Sequence, residues 1–174
     1  NIDDLYKKSI VKDTDEEEKI WNQFKRTSIK DYRNFYSKNI HYLERQDLYN
    51  LNHLPINIEF KNLINGSNIL DYGCGTSFLA FNLKKKNKKI NIFLCDIEES
   101  LTKRFAKWRF EKYNLNYTWI DIPIDENIHI SDKIKFNLIR CHDVFEHCFY
   151  PLKVIDFFYN HLDTGGYLTF DYIK

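Results

Sequence analysis

At 174 residues, 43% of them hydrophobic and 17% aromatic, the chain is long enough for one packed domain, short for two, and too apolar for a disordered segment. Its formal net charge of +1 provides no global field to draw DNA, RNA or an anionic membrane. With no apolar run near the roughly 18 residues of a membrane span, no signal peptide and no C-x-x-C pair among Cys74, Cys95, Cys141 and Cys148, the expectation is a reduced, cytoplasmic protein off the membrane.

Residues 1–64 are polar, aromatic and helix-like, and are read as a helical cap or substrate lid. Thr14-Asp15-Glu16-Glu17 fits a capping box, and Ile20, Trp21 and Phe24 follow at helical spacing. A second periodic stretch from about Lys30 to Leu51 carries Tyr32, Phe35, Tyr36, Tyr42 and Leu43. That stripe either packs on the main sheet or sets tyrosines over a ligand site. From residue 65 to 174 strands and helices alternate, and cap and core are expected to form one compact domain. Strands are predicted at 68–72, 90–96, 117–121, 136–141 and 166–172, with helices starting near Ser77, Ser100, Glu126 and Phe149. The last helix has Leu152, Ile155, Phe158 and Leu162 on one face and is expected to stop at Gly165-Gly166. Such βα units call for an α/β fold, a parallel sheet with helices on both faces. Its ligand site then lies beyond the carboxyl ends of the strands, at the topological switch point.

The run Ile69-Leu70-Asp71-Tyr72-Gly73-Cys74-Gly75-Thr76 is a strand entering a Gly-x-Gly turn, where the backbone can approach a nucleotide-like ligand closely. Phe78 stands where the dinucleotide fingerprint wants a small residue. Asp71 would repel a pyrophosphate at the following helix N-terminus, but suits a ligand carrying an ammonium and a sulfonium. Asp96, about 20 residues beyond the loop, is placed to accept both hydroxyls of a ribose, with Ile97 against the adenine. Asp121-Ile122 either meets the adenine or forms a plain turn before Pro123.

With these pieces assembled, the chain resembles the class I S-adenosylmethionine-dependent methyltransferases, particularly their small-molecule branch. The run from Phe136 through Asp143-Val144-Phe145-Glu146-His147 looks like the family's fourth-strand motif. Tyr150-Pro151 falls where that branch has an Asp-Pro turn, and Leu162-Asp163-Thr164-Gly165-Gly166-Tyr167-Leu168 resembles its Leu-x-Pro-Gly-Gly hairpin. The resemblance, from Asn65 onward, implies a Rossmann-like sheet of order 3-2-1-4-5. It implies S-adenosylmethionine as cofactor and S-adenosylhomocysteine as product, held by Asp71, Gly73, Cys74, Gly75, Thr76, Asp96, Ile97, Asp121, Ile122 and, through its backbone, His142. Ser77 replaces a family glycine and Thr164 the usual Pro. The family's final two strands are missing, which leaves the fifth strand an edge. Together with the lack of any Met, this reads as a partial chain.

Methyl transfer from a sulfonium is an in-line displacement, so the protein supplies alignment and exclusion of water. A base is needed only when a hydroxyl or amine must lose a proton. His147, whose ordinary pKa is near neutral, and Asp143 are the catalytic candidates, for a small O- or N-acceptor. The alternative is that Glu146-His147 merely orients a turn. No metal is expected, although Asp143, Glu146 and His147 are also similar to the Glu-x-x-Glu-His metal turn of some catechol and small-RNA methyltransferases. That turn would make RNA the rival acceptor, and a cofactor-binding domain without catalysis is a further rival. The run Lys84-Lys85-Lys86-Asn87-Lys88-Lys89 reads as a solvated helix C-terminus. Lys103, Arg104, Lys107, Arg109 and Lys112 read as a basic helix surface away from the cleft, which argues against nucleic acid.

Overall fold

The computed structural model describes residues 19, 22–24, 27–38, 43, 46 and 64–171; the capping box at 14–17, and Ile20, Trp21, Tyr42 and Leu51, lie outside them. The cap contributes helix α1 (Ile29–Lys38). Ser28 and Asp31 start it reciprocally: Ser28 N–H donates to Asp31 Oδ2 at 3.0 Å and Asp31 N–H to Ser28 Oγ at 3.2 Å, a capping box that satisfies two orphan donors of the first turn. Its Phe35 is buried and meets Phe24 edge-on, ring centroids 5.1 Å apart.

The core runs β1 (Asn68–Tyr72), α2 (Phe78–Lys86), β2 (Asn91–Ile97), α3 (Leu101–Lys112), β3 (Thr118–Ile122), β4 (Phe136–Cys141), a single 3-10 turn (Phe145–His147), α4 (Pro151–His161) and β5 (Leu162–Phe170). The five strands lie in the order β3-β2-β1-β4-β5, all parallel. This is the Rossmann-like sheet expected, with β1 to β4 within one residue of their predicted bounds. The two-residue period of β1 divides the core. Leu70 and Tyr72 face α4 and pack with Phe136, Ile139, Val154 and Phe158. Ile69 faces α2 and α3, with Phe81, Leu94, Phe110 and Leu138. Phe110 and Phe136 are fully buried, and burial of such a side chain stabilises the fold by about 1.5–3 kcal/mol.

Two expectations are corrected. No helix starts near Glu126: this residue takes φ +54°, outside the helical region, and the segment from β3 to β4 holds two turns and no helix or strand. The last helix ends at His161, not at Gly165-Gly166. His161 Nδ1–H donates to Ile134 O at 2.9 Å, and Leu162 already pairs with Phe136 in β5. The next paired positions are Leu138 and Tyr167, so residues 163–166 bulge from the ladder. The glycines serve that bulge: Gly165 has φ +77°, and a Cβ on Gly166 would lie 2.9 Å from the carbonyl oxygens of Asp163 and Phe136.

Candidate active site

β1 delivers the chain into a loop held by alternating left-handed residues, Gly73 (φ +64°), Gly75 (φ +50°) and Ser77 (φ +50°). At Gly73 the Val144 side chain occupies the place of a Cβ, its Cγ2 only 2.3 Å away; at Gly75 the Gln46 carboxamide does so at 2.1 Å. Four of the loop's N–H groups are engaged. Cys74 N–H donates to Cys95 O, Gly75 N–H to Asp96 Oδ2 at 2.8 Å, Thr76 N–H to Gln46 Oε1 at 3.0 Å, and Ser77 N–H to Cys74 O. Arg109 Nη1 of α3 grips the loop through Thr76 O at 2.9 Å, and its guanidinium lies 4.6 Å from the Phe105 ring centroid. Arg109 is therefore buried and not part of the basic surface expected. Lys84 is buried likewise, its ammonium donating to Lys88 O at 2.9 Å and also to Ile90 O.

Beyond the strand ends opens a cleft of about 770 Å³ of free space, counted out into open solvent. Of the residues predicted for cofactor, Gly73, Gly75, Asp96, Ile97 and Ile122 line it, as do the catalytic candidates Asp143 and His147. Asp96 Oδ1 also accepts Ile97 N–H at 2.7 Å. Burial raises its pKa to about 6 against the pull of the two backbone N–H groups.

The other predicted residues lie off the cleft wall. Cys74 is buried in the cluster beneath α2, and burial pushes its thiol far up. Thr76 is fully buried. His142 pairs Nδ1 with Asp171 Oδ2 at 2.9 Å. Asp121 is turned to solvent, its carboxylate taken by the Lys103 ammonium and by Trp119 Nε1–H at 2.8 Å. Asp71 departs most from its expectation. Arg140, its register partner on β4, donates Nη1–H to Asp71 Oδ1 at 2.9 Å. Burial pushes the acid's pKa up and the guanidinium opposes it. The pair neutralises the charge that was expected to select a cationic ligand.

Sequence reasoning missed several wall residues. Arg33 Nη2 of α1 donates to Ile122 O at 2.6 Å, and burial lowers its pKa. The Glu126 carboxylate accepts Phe149 N–H at 3.0 Å and Tyr150 N–H at 2.7 Å, capping the entry to α4. Neither carries a local motif, although the periodic stretch from Lys30 and the Ser28-x-x-Asp31 cap both point to α1. Tyr32 and Tyr36 of α1 line the cleft, their ring centroids 6.1 and 6.4 Å from that of His147. Asp143 takes φ +54°. Burial first, then the nearby Asp171 and Glu146 charges, push its pKa up. Cys148 lines the same wall, but burial pushes its thiol up to about 12, too high for a thiolate nucleophile at neutral pH. Among the described residues no three His, Cys, Asp or Glu side chains, those of Asp143, Glu146 and His147 included, are grouped to hold a metal. No described helix is long and apolar enough to cross a membrane.

Solved structures with this fold include PKMT2 from Rickettsia typhi in complex with S-adenosylhomocysteine (18% identity, TM-score 0.53, 60% of this chain and 20% of that one). Two S-adenosylmethionine-dependent methyltransferases, also solved with S-adenosyl-L-homocysteine, match as well. The one from Geobacter sulfurreducens is 16% identical at TM-score 0.52, over 80% of this chain and 54% of that one. The one from Thiobacillus denitrificans is 17% identical at TM-score 0.51, over 77% and 48%. The chain thus spans between a fifth and about half the length of these structures. No curated protein matches the sequence. A sequence profile described as the methyltransferase domain matches residues 70–168, from β1 into β5, and the chain belongs to that family, with the class I S-adenosylmethionine-dependent methyltransferase fold.

Proposed function

We propose that this domain binds S-adenosylmethionine in the cleft and transfers its methyl group to a small O- or N-acceptor, releasing S-adenosylhomocysteine. The observation that carries this reading is the Asp96 carboxylate bridging the glycine loop and the end of β2, beside a cleft walled by Ile97 and Ile122. Each carboxylate oxygen holds one backbone N–H and keeps a lone pair for a ribose hydroxyl. The two glycines have no Cβ where one would meet Val144 and Gln46. The residues present therefore fit an adenosine cofactor. When bound, that cofactor supplies a methyl group on a sulfonium, an electrophile whose leaving group needs no proton. The chain's part is then to orient and to dry the site. Tyr32 and Tyr36 wall it on the α1 side, and His147 and Asp143 stand on the strand-end side to take a proton from a hydroxyl or an ammonium.

Calorimetric titration tests the reading, with S-adenosylmethionine, S-adenosylhomocysteine and NAD as the three ligands. The expected result is binding of the first two and no heat from NAD. Binding of NAD alone would overturn it.

A further inference from the structure

We propose that the methyl acceptor is an amine, received between the rings of Tyr32 and Tyr36 and the carboxylate of Asp143; the inference rests on the methyltransferase reading above. Tyr32 is packed edge-on against Phe149, ring centroids 5.3 Å apart, and both tyrosines stand beside His147. This corner of the cleft is an aromatic box, and aromatic faces attract ammonium groups. Asp143 lines the same cleft. Its backbone is fixed by φ +54° and by its N–H donated to Asp171 Oδ1 at 2.6 Å. Its carboxylate has no hydrogen-bond or ion-pair partner among the described residues. A half-buried carboxylate without a partner among the described residues, lining the same cleft as these rings, favours a cation beside it.

The charge balance of the cleft agrees. Arg33 is the one Lys or Arg on its described walls. It is tied through Nη2 to Ile122 O and sits among the acids Glu98, Glu126, Glu99 and Asp96, whose field disfavours an anion beside it. A carboxylate or phosphate acceptor would meet Asp143 and Glu126 with like charge. An alcohol would leave Asp143 without its counter-ion.

The step balances without a further reagent. The bound ammonium passes a proton to the Asp143 carboxylate, whose pKa is pushed up, and the freed nitrogen lone pair forms the new N–CH3 bond. The C–S bond breaks with its electron pair left on sulfur, which becomes the neutral thioether, while the nitrogen carries the positive charge. The Asp143 proton then leaves to solvent.

The test uses the protein saturated with S-adenosylhomocysteine and titrated calorimetrically with phenethylamine, 2-phenylethanol and 3-phenylpropionate, probes of similar shape and different charge. The amine is expected to bind at least tenfold more tightly than the alcohol, and the acid more weakly still. Asp143→Asn keeps a residue that tolerates positive φ. That variant and Tyr36→Leu are each expected to cut amine affinity about tenfold, while S-adenosylhomocysteine affinity in Asp143→Asn stays within twofold. With S-adenosylmethionine present, mass spectrometry should detect N-methylphenethylamine. Equal binding of the alcohol or acid, binding of none of the three, or an equal loss of S-adenosylhomocysteine affinity in Asp143→Asn would overturn the amine assignment alone. Failure of S-adenosylhomocysteine to bind overturns the methyltransferase reading itself.

Discussion

The Asp96 carboxylate lies at the end of β2 with Gly75 and Ile97 N–H groups on its oxygens, and burial still lifts its pKa from 3.8 to about 6. The folded chain therefore holds this proton more tightly than the unfolded chain. The resulting stability is full below about pH 4 and is lost as the pH rises through about 6. Asp96→Asn is expected to flatten the fall in thermal midpoint across that window, measured by scanning calorimetry on ligand-free protein; an unchanged slope would place its source elsewhere. The same variant should bind S-adenosylmethionine roughly 5- to 150-fold more weakly, since a lost acceptor that leaves a buried donor unpaired costs about 1–3 kcal/mol. Gly73 makes a second residue-scale case. An Ala Cβ there would sit 2.3 Å from Val144 Cγ2 at φ +64°, a left-handed backbone that costs roughly 1–2 kcal/mol by itself. Gly73→Ala should lower stability by about 2–4 kcal/mol in urea titrations, overlap and backbone together. Adding Val144→Ala should restore only the overlap part.

At the scale of elements, β1 and β4 are neighbours in the sheet although β2, β3 and two helices separate them in sequence. The Asp71–Arg140 ion pair spans that junction, with Asp71 2% exposed and Arg140 9%. Removing one partner leaves a buried charge uncompensated, a loss of about 3–5 kcal/mol, whereas replacing both is often neutral. Arg140→Met should therefore destabilise strongly, and Asp71→Leu/Arg140→Met should recover most of the loss in equilibrium unfolding. This pair marks the limit of what was legible in the sequence. The strands β1 to β4 and the glycine turn were legible because each is written in a short local pattern: apolar runs, paired glycines, an acid at a strand end. Cross-strand partners are not local. The Asp71 charge argument failed because its guanidinium arrives from β4. Asp121 lies off the cleft because Lys103 and Trp119 claim its carboxylate. Glu126 was read as a helix start while its side chain serves an N–H pair ahead of α4. The two glycines after α4 looked like a helix stop, but the helix yields to strand pairing first.

Over the whole molecule, the cleft lies between α1 and the strand ends. The cap reaches the core beside it through Arg33 on Ile122 O and Gln46 on Thr76 N–H. A ligand filling that space makes contacts on both sides that the empty fold lacks, so its binding energy should couple α1 to the sheet. Saturation with S-adenosylhomocysteine at a hundred times Kd adds about 2.7 kcal/mol by mass action, which for a chain of this length corresponds to a rise in Tm on the order of 5–10 °C. Hydrogen exchange should show where that energy goes. Amides of residues 29–38 are expected to slow with the ligand alongside those of the glycine loop. Arg33→Ala should weaken the slowing in α1 while leaving the loop protected. Protection confined to the loop in the unaltered protein would mean that α1 is a bystander, and that the tyrosines it carries do not close over the ligand.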